Sequence, residues 1–180
     1  EGRARMADKQ EIKGQEKLTI LGPITEAYGC DPKALCEKLN VLRGGELAAE
    51  LQYRHHAFMA VSMAMPGVKE EFLEHAAQEA KHADMLGERI SQLGGDPVFE
   101  PRQIAQSVDQ MRLELGDPQT LDEMVRYNYE VERRQIVAYT RLIREVGFDD
   151  PTTRRILEDI LIDTEHHAAE LGDLLSRKAH

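Results

Sequence analysis

Residues 79–86 read Glu-Ala-Lys-His-Ala-Asp-Met-Leu. Glu79 and His82 stand three residues apart, one turn along a helix, so both side chains leave the same face. The rest of that face is apolar: Phe72, Ala76, Ala83, Leu86, Ile90 and Leu93 recur at the spacing of a helix that buries one side. A carboxylate and an imidazole set together into such a stripe can grip one cation, and the pair suits iron or manganese. Alone, a Glu-x-x-His is common on solvated helix faces, so its setting decides.

The helix that carries it is predicted from about Val68 to Leu93, between Pro66-Gly67 and Gly94-Gly95. Three more long helices follow from the same periodicity. The first runs from about Pro32 to Met65 and the third from near Pro118 to Gly147. The fourth opens at Asp150-Pro151, an N-cap and first-turn pair, and runs to about Lys178. The first–second and third–fourth links are short and predict antiparallel hairpins. The second–third link, residues 94–117, can cross the length of a bundle, with a short helix over Arg102 to Leu115. The fold class is therefore all-α: a four-helix bundle over residues 32–180, preceded by a partly mobile extension over 1–31, of which 1–17 are polar and mixed in charge.

Two more carboxylates interrupt apolar stripes. Glu46 falls with Leu39, Leu42, Ala49 and Tyr53, and Glu132 with Leu121, Val125, Asn128, Ile136, Tyr139, Ile143 and Val146. Stranding an ionised carboxylate in a core costs several kcal/mol after relaxation. Three of them would exhaust the roughly 5–15 kcal/mol of a stable domain. No Lys or Arg stands at adjacent stripe positions, so a metal is the economical compensation. The two halves also repeat. Glu46 and Tyr53 are seven apart, as are Glu132 and Tyr139, and His82-Ala83 with Leu86 recurs as His167-Ala168 with Leu171. Two related hairpins predict a pseudo-twofold site with one half from each.

The 180 residues carry a net charge of −10, which argues against a nucleic-acid surface and favours cations. The basic residues of the lead-in, Arg3 to Lys17, are interrupted by acidic ones. No run approaches a membrane span, and no secretion signal opens the chain. Cys30 and Cys36, six apart, match no zinc or redox motif and read as free thiols of a cytoplasmic protein.

These stretches resemble the bacterioferritins. Residues 39–56 (LNVLRGGELAAELQYRHH) look like their first helix and 79–86 (EAKHADML) like their second. Residues 132–143 (ERRQIVAYTRLI) and 160–171 (ILIDTEHHAAEL) are similar to their third and fourth. Two hairpins and one long crossover is also the ferritin-like connectivity. The resemblance spans about Leu39 to Leu175. It implies an intrasubunit di-iron ferroxidase centre with Glu46, Glu79, His82, Glu132 and His167 as ligands. It also departs from that pattern. Where the family has a second Glu-x-x-His glutamate, this chain has Thr164; aligning Glu165 instead puts Ala168 in the histidine position. Asp163, one turn before His167, or water would then replace the missing ligand. Ala80 replaces the family's haem-ligating Met, so haem is not expected. The lead-in and the early end after the fourth helix look more like Dps-like mini-ferritins.

The resemblance implies Fe(II) oxidation by O₂ or H₂O₂, for iron storage or oxidative-stress protection, in a homo-oligomeric shell of 12 or 24 subunits. A Dps-like DNA protector, and a non-storage di-iron or manganese oxidase or peroxidase such as rubrerythrin, are the competing functions. Tyr53 is read as a core tyrosine, a redox-active donor or a hydrogen-bond partner of a ligand carboxylate. One of His55 and His56 is expected to face outward, with His56 lining the bundle, and Asn128 to be a partner of a ligand or polar core. Glu50, Glu74, His75 and His166 are expected at solvent, an interface or a cavity.

Overall fold

The computed structural model describes residues 22–62, 66–109 and 118–177. Among them are five helices and no strand: α1 (Pro32–Ser62), α2 (Pro66–Gln92), α3 (Pro101–Asp109), α4 (Leu121–Val146) and α5 (Pro151–Arg177). α1 packs along α2 and α4 along α5, as two hairpins, while α3 rests on α1 within the crossover. The predicted all-α bundle with one long crossover is what the chain forms. The expectations for residues 1–17 and for the crossover helix beyond Asp109 lie outside the described residues.

Local chemistry sets each boundary. Asp31 Oδ1 accepts from the Lys33 and Ala34 amides at 2.9 and 3.3 Å, capping α1. α2 begins at Pro66, earlier than the predicted Val68, because proline is suited to the first helical turn. It ends where Gly94, at φ +78°, lets the Gly95 amide turn back to the Ile90 carbonyl at 2.9 Å. α4 starts at Leu121 rather than near Pro118, because Thr120 and Glu123 form a reciprocal capping box. The crossover is strapped to α1: Asn40 Nδ2 donates to the Asp96 carbonyl and its Oδ1 accepts from the Val98 amide, at 3.0 and 2.9 Å. The lead-in over residues 22–31 docks on the α4–α5 turn, where the Tyr28 hydroxyl donates to Asp150 Oδ2 at 2.8 Å.

The core is two apolar clusters. One joins Leu39, Leu86, Ile90, Tyr139, Leu157 and Ile160, and the other joins Tyr53, Ala57, Phe72, Ala76, Met124 and Leu171. On every long helix the residues between these clusters include the chemically active ones: Glu46 on α1, Glu79 and His82 on α2, Glu132 on α4 and His167 on α5. The fold thus places a charged layer across the middle of the bundle with apolar packing on both sides.

Candidate metal centre

Glu46, Glu79, His82, Glu132 and His167 are each at most 1% exposed. They form two groups, Glu46–Glu79–His82 and Glu79–Glu132–His167, and within each group one ligand atom per residue lies within 4.8 Å of the others. Glu79 belongs to both. The arrangement suits two cations that share one carboxylate.

The pseudo-twofold relation predicted from the repeats is visible in the hydrogen bonds. The Tyr53 hydroxyl donates to Glu132 Oε1 and the Tyr139 hydroxyl to Glu46 Oε1, each at 2.5 Å. Each tyrosine therefore serves the glutamate of the other hairpin. The histidines are held in the same crossed fashion. His82 Nε2 meets Asp163 Oδ2 at 3.1 Å, and His167 Nε2 meets Gln78 Oε1. In the tautomer in which Nε2 donates, Nδ1 turns a lone pair toward the carboxylates, the form in which each ring can bind a cation. His82 Nδ1 lies 3.3 Å from Glu46 Oε2, and His167 Nδ1 lies 3.1 Å from Glu79 Oε1. Two lone pairs at that distance repel unless a cation or a proton stands between them.

Several buried ligand atoms make no hydrogen bond: both Glu79 oxygens, Glu132 Oε2 and His167 Nδ1. Buried polar groups are seldom left so. Orphaned carboxylate and imidazole atoms converging on one layer are what a pair of iron-class cations would satisfy, so the donor set fits.

The electrostatics agree. Burial, then the charges of Glu46 and Glu132, push the Glu79 carboxyl well above its ordinary range. Burial likewise raises Glu132, despite His167 and Tyr53. Burial would raise Glu46 too, but its contacts with His82 and Tyr139 hold it below the usual range. Burial lowers His82, yet Glu46 and Asp163 more than compensate and raise it. Burial, with the charges of Glu132 and Glu79, raises Tyr53 well above its usual value, so its hydroxyl keeps its proton and stays a donor.

Thr164 faces the interior, 1% exposed, with its hydroxyl donating to the Ile160 carbonyl at 3.0 Å. Glu165 is exposed, which rules out the alignment that made it a ligand. Asp163 stands outside both groups, on the far nitrogen of His82, half-buried. His55 is exposed and His56 buried, its Nδ1 2.9 Å from Asn128 Oδ1. Glu50 is half-buried, and Glu74 and His166 are exposed. His75 is only 2% exposed, one turn before Glu79 on the inward face, and belongs to neither group. Gln135 is also buried, donating to Glu46 Oε1 at 3.2 Å. It displaces Ile136, which is half-buried, from the core line of α4. A polar residue one turn from a buried glutamate was the available signal in both cases.

Residues 36–179 match the ferritin-like domain family, described as "Ferritin". A "Nutrient stress-induced DNA-binding protein" from Synechococcus is 28% identical over 79% of this chain and 81% of its own length. A "Bacterial ferritin" from Pseudomonas aeruginosa is 31% identical over 73% of this chain and 79% of its own. A solved dodecameric thioferritin, the bacterioferritin-related protein of Bacteroides fragilis, superposes with a TM-score of 0.76 at 29% identity. It covers 92% of this chain and 95% of that one.

Proposed function

The chain belongs to the ferritin-like domain family, and from that premise we propose that it oxidises Fe(II) at a two-ion site inside each subunit, for iron storage or protection from oxidative stress. The observation that carries this reading is Glu79, buried, without hydrogen bonds, and common to both ligand groups. Iron is the substrate. Two Fe(II) ions supply the two electrons that, with two protons, reduce H₂O₂ to two waters or O₂ to H₂O₂.

The protein's own residues hold this chemistry in place. Glu46 and Glu132 take the outer positions, each fixed by the tyrosine of the opposite hairpin. Glu79 lies between, and His82 and His167 each present Nδ1 to one side. Asp163 orients the His82 ring by accepting from Nε2. Tyr53 acts here as a positioning residue, since its hydroxyl is engaged by Glu132 and keeps its proton. Thr164 supplies no carboxylate, so the α5 side of the site is the less charged one.

A homo-oligomeric shell is part of the proposal. Phe58, Phe99, Phe148, Leu51 and Ile162 are each more than 60% exposed on the single chain, as expected of surfaces that pack against copies, and the B. fragilis neighbour is described as dodecameric. The expectation against DNA, drawn from net charge, is not carried forward, because the Synechococcus relative is named for DNA binding.

Anaerobic Fe(II) loading followed by oxidant is expected to give a near-ultraviolet absorbance rise that saturates at about two irons per chain. Glu79→Ala is expected to remove it. A wild-type response that is flat, or one that Glu79→Ala leaves unchanged, overturns the proposal.

A further inference from the structure

Outside the two-ion layer, a third group of ligand atoms stands on α2 and α5. Glu71, His75 and Glu170 each offer one donor, and the three lie within 4.8 Å of one another. The group has no counterpart in the other half of the bundle: the repeat that maps Glu79 onto Thr164 and His82 onto His167 puts Ile156, Ile160 and Met85 in the corresponding places. It is not a by-product of the pseudo-symmetry.

His75 makes the group more than an acidic surface cluster. Its side chain is 98% out of solvent, and Nε2 meets Glu170 Oε2 at 2.9 Å. Its other nitrogen, Nδ1, is buried with no hydrogen bond. An imidazole sunk this far and held through one atom is costly unless something else uses it. Its ring lies flat on His167, centroids 4.1 Å apart and planes 23° from parallel. Two carboxylates and an imidazole are a donor set for a divalent iron-class cation. Exposure falls steadily inward: the Glu170 side chain is 40% exposed, Glu71 half-buried, His75 2% and His167 0%.

We propose that Glu71, His75 and Glu170 form a third, mononuclear site for a divalent transition-metal cation, one helical turn on the solvent side of the two-ion centre. The proposal rests on the reading of that centre only in taking His167 as one of its ligands, and the two can fail separately.

Equilibrium dialysis of the intact, metal-free protein against Co(II) under anaerobic conditions tests it. Wild type is expected to bind about three ions per chain, two in the carboxylate layer and one here. Glu170→Gln, which alters a partly exposed side chain and leaves the core untouched, is expected to lose one ion, and His75→Ala the same one. Glu79→Ala is expected to lose the layer's ions and keep this one. If Glu170→Gln and His75→Ala each bind as many ions as the wild type, the third site is refuted. If only Glu79→Ala leaves binding unchanged, the two-ion reading falls and this site stands.

Discussion

Replacing Glu79 by glutamine is expected to raise the melting temperature of the metal-free protein and to remove most of the further rise that anaerobic Fe(II) gives the wild type. In the absence of a cation, Glu79 is fully buried beside Glu46 and Glu132, and its carboxyl is pushed up by burial first and by those charges second. A group whose folded pKa lies above its unfolded one holds its proton more tightly in the native state. Above the unfolded carboxylate range it therefore opposes folding, increasingly as pH climbs toward the folded value. Glutamine has the shape of the acid and no proton to lose. The stability gain should be about 1–4 kcal/mol, the range for relieving unfavourably buried charge, or roughly 2–4 °C per kcal/mol for a chain of this size. It should be smallest near pH 4 and larger at pH 7. With Fe(II) the order inverts. At a hundredfold excess over its dissociation constant, an ion bound only by the native state adds about 2.7 kcal/mol. The variant lacks the shared ligand and should lose the layer's share of this response, keeping only what the Glu71–His75–Glu170 site gives. Thermal melts of both proteins, with and without metal, check all of these signs at once.

The second large effect lies away from the site. Arg89 and Asp150 form a buried ion pair, Nη2 to Oδ1 and Oδ2 at 3.0 and 2.9 Å. Thr153 joins it, accepting from Arg89 Nε at 2.7 Å and donating its hydroxyl to Asp150 at 2.5 Å. Asp150 also caps α5 through the Thr153 amide at 2.9 Å and receives the Tyr28 hydroxyl. One carboxylate thus ties α2, the start of α5 and the lead-in together. Asp150→Ala leaves the guanidinium buried and unpaired and removes the cap. It is expected to cost about 3–5 kcal/mol for the broken pair and about 1 kcal/mol for the cap. The double change Arg89→Met with Asp150→Asn should recover much of this, because it removes both charges and keeps a capping side chain. Fe(II) oxidation per folded chain should be unaffected, since Arg89 lies seven residues past His82, about 10 Å along the helix. Chemical denaturation of the single and double variants measures the coupling.

The site was legible where a charged residue broke an apolar stripe. Glu46, Glu79 and Glu132 stood out because each is flanked at three- and four-residue spacing by side chains that must be inside. His82 and His167 followed from the repeat between the halves. The same periodicity hid His75, Gln135 and Arg89. A polar residue on or beside a stripe is read as its edge, and only packing reveals that the neighbouring helix covers it. All three lie at helical spacing from buried ligands, so the face they share was available, but their partners are Glu170 and Glu46 on other helices and Asp150 at the turn before α5. Helix ends were legible where a cap was recognised, as at Asp150-Pro151. At α4 the Thr120–Glu123 box, not Pro118, sets the start. The choice between Thr164 and Glu165 was a question of register. One residue turns a helix by 100°, and the buried line of Leu157, Ile160 and Leu171 takes Thr164 inward and leaves Glu165 outside.

Underlying all of this is one claim, that Glu79 is buried because two cations share it. Crystals soaked in Fe(II) without oxygen and recorded on both sides of the iron absorption edge test it directly. Two anomalous peaks are expected in the layer between the apolar clusters, one bounded by Glu46, Glu79 and His82 and the other by Glu79, Glu132 and His167. A layer without anomalous signal, with the Glu79 carboxylate satisfied by protein groups alone, would contradict it.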